Sequence, residues 1–157
     1  MGIGNISSTQ WTLNETIDLT DYYEFTITPK PGAVMTLTGF SFWEKRQGTG
    51  PSTIELRTSI DGYTSSQIIS TLAAANVKQQ TVTLAPSETF AGLNASLTFR
   101  LYGYSSGQNN GEGDWALVND SGTAGFVFEG TAIPEPTTLG LLGLGTVGLL
   151  LRRRKHS

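Results

Sequence analysis

The fold is restricted most by short runs in which apolar and polar residues alternate. At 23–28 the apolar positions 23, 25 and 27 alternate with Glu and Thr, and at 95–102 Leu97, Phe99 and Leu101 repeat the pattern. This period of two indicates half-buried strands. Less regular runs, rich in β-branched and aromatic residues, predict further strands at 34–43, 53–58, 80–84, 115–118 and 126–131.

Turn residues separate these runs. Pro and Gly end the first run at 29–32, and Asp61-Gly62 is a pair that favours hairpins. We interpret the glycine-rich stretch 46–51 as a connecting loop because it lacks the pattern of a phosphate-binding loop. Gly39 is predicted to mark a β-bulge. The segment 67–77 is ambiguous, and within it 70–75 is interpreted as either a short helix or a loop that crosses the sandwich. The whole predicts an all-β protein, an antiparallel sandwich of the jelly-roll kind.

The C-terminal region is different in kind, with three parts in a fixed order. Pro134, Glu135 and Pro136 come first, and an uncharged run follows from Thr137 through Leu139 and Leu144 to Leu151. The third part is the basic cluster of Arg152, Arg153, Arg154 and Lys155.

The apolar run predicts a single hydrophobic helix. Its 15 residues would reach about 22 Å, against about 30 Å for a bilayer core, so it is a short span. A basic cluster directly after such a segment tends to stay on the cytoplasmic side, which places the preceding chain outside. The alternative, a C-terminal helix buried in the domain, is disfavoured because a helix apolar on all sides needs burial on all sides.

This tail resembles the PEP-CTERM sorting signal of Gram-negative bacteria that produce exopolysaccharide. The resemblance implies a membrane-held precursor, processed near 134–136 by an exosortase, an integral membrane enzyme. It also implies a final location at the cell surface or in the extracellular matrix. We therefore divide the chain into a sandwich ectodomain at 1–131 and a sorting signal at 132–157.

The first residues, 1–8, contain neither the basic region nor the apolar core of a secretory signal peptide. Since a C-terminal sorting signal requires export, we expect the sequence to be truncated or its start to have been assigned too far downstream. An upstream reading frame that encodes an export signal is the corresponding expectation.

Charge and residue types exclude several function classes. Before Ile133 there are six basic and twelve acidic residues, a net charge of −6, and an acidic domain is a poor partner for nucleic acid. The chain has no cysteine, and its single histidine, His156, lies in the tail. The ectodomain therefore lacks the residues for a Ser-His-Asp triad, a thiol nucleophile or a His- or Cys-based metal site. We predict that the protein is not an enzyme and has no obligatory cofactor.

The body of the chain, over about 20–131, resembles a domain that recurs among PEP-CTERM proteins and is similar to laminin-G-like or galactose-binding-like sandwiches. The stretches that carry the resemblance are 23–29, 37–42, 46–51, 56–63 and 99–104. Such relatives usually end in a Trp-x-x-Asp-Asn strand, whereas Trp115 is followed here by Ala-Leu-Val-Asn. A polar site carried on that strand is therefore in question.

Two classes of function remain open from the sequence, a structural surface protein and a module that binds the cell's own exopolysaccharide. Sugar sites combine aromatic faces with polar side chains, and such residues concentrate around the loop 103–113. The candidate glycan-binding residues are Tyr102, Tyr104, Asn109, Asn110, Asp114 and Trp115. The alternative is a polar loop whose flanking aromatics belong to the core. Calcium is an optional ligand, with oxygen donors from Asp61, Asn109, Glu112 and Asp114, although their spacing is not that of an EF-hand.

Overall fold

The computed structural model describes residues 6–71, 77–84, 88–106, 113–119 and 125–134. Within these residues nine strands and two short 3-10 turns follow one another. The strands are β1 (Ile6–Ser8), β2 (Tyr22–Ile27), β3 (Ala33–Arg46), β4 (Pro51–Thr58), β5 (Gln67–Thr71), β6 (Val77–Thr83), β7 (Leu97–Ser106), β8 (Trp115–Val118) and β9 (Phe126–Pro134). The 3-10 turns are Ser59–Asp61 and Glu88–Phe90.

The described strands form two antiparallel sheets. One has the order β1-β8-β3-β6, with β9 also paired to β3, and the other has the order β2-β7-β4-β5. The pairs β1 with β8, β2 with β7, β3 with β6 and β4 with β5 are those of one long antiparallel ribbon folded back on itself. The prediction of an all-β antiparallel sandwich is confirmed. The predicted C-terminal helix lies outside the described residues.

The strand centres agree with the alternation, but several ends differ from the prediction. β3 continues to Arg46 and β4 begins at Pro51, so the glycine-rich connection shortens to 47–50. β7 continues to Ser106, which places Tyr104 in a strand instead of the predicted loop. Residues 67–71 form β5, so the interpretation of 70–75 as a helix or loop was wrong at 70 and 71, and 72–75 lie outside the described residues. In each case pairing with a neighbouring strand extends the ladder beyond the local pattern.

The core lies between the two sheets and is strongly aromatic. Phe25 of β2 packs within 5.7 Å, centroid to centroid, of Phe40 on β3 and stacks at 5.3 Å on Phe99 of β7. Phe126 and Phe128 of β9 extend the same cluster, and Phe126 lies 4.6 Å from Phe25. Each aromatic side chain buries a large apolar area, so these rings provide much of the hydrophobic stabilisation of the core.

A β-bulge interrupts the pairing of β3 with β9, as predicted at Gly39. The register shifts between Leu37 and Gly39, opposite Glu129 and Gly130. A Cβ atom added at Gly130 would lie 2.1 Å from the carbonyl oxygen of Thr36, and the backbone φ of Gly130 is +157°. Only glycine permits that approach between the two backbones.

Candidate sorting junction and ligand surfaces

The first part of the predicted sorting signal begins inside the sandwich. β9 pairs with β3 up to its last residue, so Ala132 lies opposite Met35, Ile133 opposite Val34 and Pro134 opposite Ala33. The strand thus crosses the predicted domain boundary at 131/132 without interruption. Pro134 can end a strand because it needs no amide hydrogen for the ladder.

The two halves of β9 are held differently. Phe126 and Phe128 pack against the core, whereas every residue from Glu129 to Pro134 is exposed, and the side chain of Ile133 is 59% exposed. An apolar groove of about 470 Å³ runs under this exposed half, lined among others by Ile27, Met35 and Leu37. Gly130 and Ala132 line this groove and pair with the buried β3 residues Leu37 and Met35. Because glycine and alanine are small, little side-chain volume fills the groove.

The rest of the tail lies outside the described residues. This applies to Glu135, Pro136, the apolar segment with Thr137, Leu139, Leu144 and Leu151, and the cluster from Arg152 to Lys155. In the part of the chain that the structure does describe, no helix has both the length and the apolar character to cross a membrane.

Of the predicted glycan-binding residues, Tyr102 and Tyr104 share one surface. Both point to the outer face of the four-stranded sheet, on β7, yet Tyr102 is 1% and Tyr104 8% exposed. The Tyr102 ring lies 5.3 Å from the Tyr22 ring and has the Arg57 guanidinium 5.7 Å from its centroid. The Tyr104 hydroxyl lies 3.2 Å from a carboxylate oxygen of Glu55. Neighbouring side chains therefore cover these rings.

The same outer face holds a guanidinium between two tyrosines. Arg100 lies 4.2 Å from the centroid of Tyr22 and 3.9 Å from that of Tyr63, and its Nε donates to Glu24 at 2.8 Å. The hydrogen bond to Glu24 raises the pKa of Arg100, so its charge is permanent. Cation–π contacts at such sites contribute about 0.5 to 1 kcal/mol each. Sequence reasoning missed this cluster because its members lie far apart in the chain, on β2, on β7 and in the connection between β4 and β5.

Trp115 and Asp114 lie elsewhere. Trp115 is completely buried between the sheets, where its ring is 5.1 Å from Trp11 and 5.0 Å from Tyr23. Asp114 accepts hydrogen bonds from the Ser7 hydroxyl and, through its backbone oxygen at 2.9 Å, from the Gln47 amide. The structure therefore does not join Trp115 with the two tyrosines on one surface. Asn109 and Asn110 lie outside the described residues.

Glu44 is a buried titratable residue that sequence reasoning missed. Its side chain is completely buried and accepts hydrogen bonds from Nε2 of Gln80 and, at 2.7 Å, from Nε1 of Trp115. Burial raises the pKa of the Glu44 carboxyl above its usual range. Each carboxylate oxygen accepts one of these hydrogen bonds, so Glu44 links β3 to β6 and β8 inside the core. The alternation 40, 42, 44 along β3 was the signal that could have placed it inside.

The glycine-rich connection is stabilised by hydrogen bonds from a neighbouring arginine side chain. Arg46, which follows Glu44 on the inward face of β3, donates from its guanidinium to the carbonyl oxygens of Gly50 at 2.9 Å and Gly48 at 3.3 Å. A phosphate-binding loop presents amide hydrogens to its ligand. This loop turns carbonyl oxygens toward a cation of its own chain, which agrees with a connecting role.

The described residues do not bring the predicted calcium ligands together. Asp61 lies just beyond the C-terminal end of β4, whereas Asp114 contacts the connection that precedes β4, so about 25 Å of strand separates them. Hydrogen bonds from Ser65 and then Thr64 lower the pKa of Asp61 to about 2. Within the described ranges no three acidic or histidine side chains converge on one point. Asn109 and Glu112 lie outside those ranges.

Comparisons with known proteins bear on the tail. No curated protein matches the chain. A chain from the structure of infectious bursal disease virus, Gx strain, is similar at 13% identity and a TM-score of 0.33, and the match covers 96% of this chain and 49% of that chain, about half its length. Residues 132–155 match the PEP-CTERM protein-sorting motif. The chain therefore carries a PEP-CTERM motif, which indicates sorting through an exosortase and a membrane-anchored precursor.

Proposed function

We propose that this protein is a non-catalytic component of the cell surface or extracellular matrix, delivered by exosortase processing of its C-terminal signal. The observation that carries the proposal is the PEP-CTERM motif at 132–155, which begins within the last strand of a folded sandwich. In this proposal the apolar segment 137–151 forms a helix that holds the precursor in the membrane. The basic cluster keeps the chain terminus on the cytoplasmic side.

The absence of catalysis is part of the proposal. The ectodomain sequence has neither histidine nor cysteine. The one carboxylate that the described core buries completely, Glu44, is enclosed by Trp115 and Gln80 and has no contact with solvent. A general acid or base needs reach to a substrate proton, which Glu44 lacks.

We also infer a jelly-roll topology and a relationship to laminin-G-like or galactose-binding-like domains. The strand orders β1-β8-β3-β6 and β2-β7-β4-β5 favour the jelly roll, since they arise when one antiparallel ribbon rolls into two sheets. The relationship rests on the sequence stretches between residues 23 and 104.

Binding of exopolysaccharide is the second candidate. The observation in its favour is the cluster of Tyr22, Tyr63 and Arg100 on the outer face of the four-stranded sheet, where both tyrosines are half-buried. Tyrosine rings beside a charged donor on the outer face of a sheet suit a polysaccharide chain. Calcium remains an optional participant in this second candidate.

The sorting proposal is tested by following the full chain, exported behind a secretory signal peptide, in an exopolysaccharide-producing bacterium with and without its exosortase. We expect a shortened product at the cell surface or in the matrix when the enzyme is present. Without the enzyme we expect a full-length product in the membrane fraction. Equal size and location in both strains would refute the proposal.

The second candidate is tested separately with residues 1–134 on a glycan array and in a polysaccharide pull-down, each with and without calcium. Retention that is lost in Arg100→Ala and kept in Lys30→Ala would assign binding to the outer face. Lys30 is a suitable control because it lines the groove under β9, to which Tyr22, Tyr63 and Arg100 do not contribute. No retention on any glycan would leave the structural role alone.

A further inference from the structure

The sandwich and the sorting motif share residues 132–134, and these residues are engaged in the β3–β9 ladder. An enzyme that cleaves a chain binds several residues on either side of the bond in an extended form, through hydrogen bonds of its own. In the folded sandwich one edge of this segment is already paired with β3. The segment also lies over the groove that contains Met35 and Leu37.

We propose that the terminal half of β9, residues 130–134, must detach from β3 before the exosortase can process the chain. The inference rests on the proposed function. It assigns a regulatory role to the fold, in which the ladder controls access to the motif. The residues that pair with this half on β3 are Ala33, Val34, Met35, Thr36 and Leu37.

The structure marks where detachment would stop. The bulge at Leu37/Gly39 lies directly before Gly130, so the regular ladder is already interrupted there. Upstream of the bulge, Phe126 and Phe128 fix the strand in the aromatic core, whereas downstream all side chains are exposed. Segments with few buried apolar contacts open locally far more readily than the core. The terminal half can therefore separate while the sandwich stays folded.

The reach of the chain leads to the same conclusion. Thr137, where the apolar run begins, lies three residues beyond Pro134, so at most about 10 Å of chain separates the sandwich from the membrane segment. Detachment of residues 130–134 would add about 17 Å. That length moves the folded domain away from the membrane surface and leaves room for the enzyme around the motif.

A pair of disulfide staples tests the proposal, because the natural chain contains no cysteine. The variant Val34→Cys/Ile133→Cys links the strands below the bulge, and the matched control Ser41→Cys/Val127→Cys links the same strands above it. Both pairs are direct cross-strand partners, with Cα separations of about 4.5 to 5.5 Å, within the range that disulfides span. Each variant is exported in the exosortase-containing strain, with and without a reductant, and thiol labelling verifies the bond.

We expect the oxidised 34/133 staple to reduce the yield of shortened product by about tenfold or more, since cleavage of a locally opened segment follows the population of its open form. Reductant should restore processing of the same variant, which also shows that it folds and is exported. The oxidised 41/127 staple should be processed like the natural chain.

Normal processing of the oxidised 34/133 variant would overturn the proposal, as would an equal block by both staples. In either case processing of the natural chain would leave the sorting function standing. Failure of the natural chain itself to be processed in the presence of exosortase would instead refute the proposed function.

Discussion

Glu44 shows how a single buried residue on β3 connects the two strands that flank it in the same sheet. Its carboxylate joins β6 through Gln80 to β8 through Trp115, and Trp115 in turn contacts Trp11 and Tyr23. A buried carboxylate without such partners would be strongly destabilising. Burial raises the pKa of Glu44, whereas its hydrogen bonds lower it. Since the net shift is upward, the hydrogen bonds compensate for desolvation only in part.

The raised pKa predicts a pH dependence of stability. The folded chain keeps the Glu44 proton to a higher pH than the unfolded chain, whose carboxyl titrates near the ordinary value of 4.5. The free energy of unfolding should therefore fall as pH rises from about 4.5 toward the folded pKa. Glu44→Gln cannot titrate and should lose less stability between pH 5 and pH 8 than the natural chain. Urea unfolding of residues 1–134 at both pH values measures the difference.

A charge-matched control isolates this effect. Glu24→Gln removes an equal charge from the exposed ion pair with Arg100, and its urea midpoints at the two pH values show the effect of losing a negative charge that is not buried. Parallel profiles for Glu44→Gln and the natural chain would show that Glu44 does not titrate differently in the folded state.

Residue positions were predictable where the strand pattern reached them. The alternation along 95–102 places Leu97, Phe99 and Leu101 on one face, which the structure confirms as the inward face. The partner of Trp115 was not predictable, because Glu44 lies 71 positions away and only the sheet order brings the two together. The same holds for Arg100 between Tyr22 and Tyr63.

At the scale of elements, β9 combines an anchoring half with an exposed half. Phe126 lies 4.6 Å from Phe25 and 5.5 Å from Phe42, whereas Ile133 is mostly exposed. We expect Phe126→Ala to reduce the free energy of unfolding of residues 1–134 by about 2 to 4 kcal/mol, as for other large aromatic truncations in cores. Ile133→Ala should change it by about 0.5 kcal/mol or less, since exposed positions contribute little.

Amide hydrogen exchange provides a second measurement on the same two variants. Protection should be stronger at 126–128 than at 131–133 in the natural chain, because local opening starts where few apolar contacts are buried. Equal protection along the strand, or similar losses of stability in the two variants, would contradict the division of β9 into two halves.

The elements also show why sequence patterns give strand centres better than strand ends. The pattern at 126–131 ends where Gly130 interrupts the apolar alternation, yet β9 continues to Pro134 because β3 offers backbone partners as far as Ala33. In the same way β7 extends through Tyr104, which pairs with Thr53 on β4. Pairing of this kind depends on residues far away in the chain, so no local window contains it.

At the scale of the whole molecule, an acidic sandwich is joined directly to an apolar tail. Residues 1–134 carry the net charge of −6, and the basic cluster lies entirely beyond the apolar run. The core that the structure describes is formed by residues between Trp11 and Phe128. We therefore expect the sandwich to fold independently of the tail and the tail alone to hold the precursor in the membrane.

Leu144→Arg in the full chain tests this division of roles, because it places a charge near the middle of the apolar run and leaves 134–136 intact. A central arginine opposes membrane insertion by about 2.5 to 3.5 kcal/mol, a large change for a run of only 15 residues. In a strain without exosortase, the variant should leave the membrane fraction while the natural chain stays in it. Thr137→Ser, at the edge of the run, is the control and should stay as well. Both should unfold with the same urea midpoint as residues 1–134, and a lower midpoint for Leu144→Arg would mean that the apolar run packs on the sandwich instead of in the bilayer.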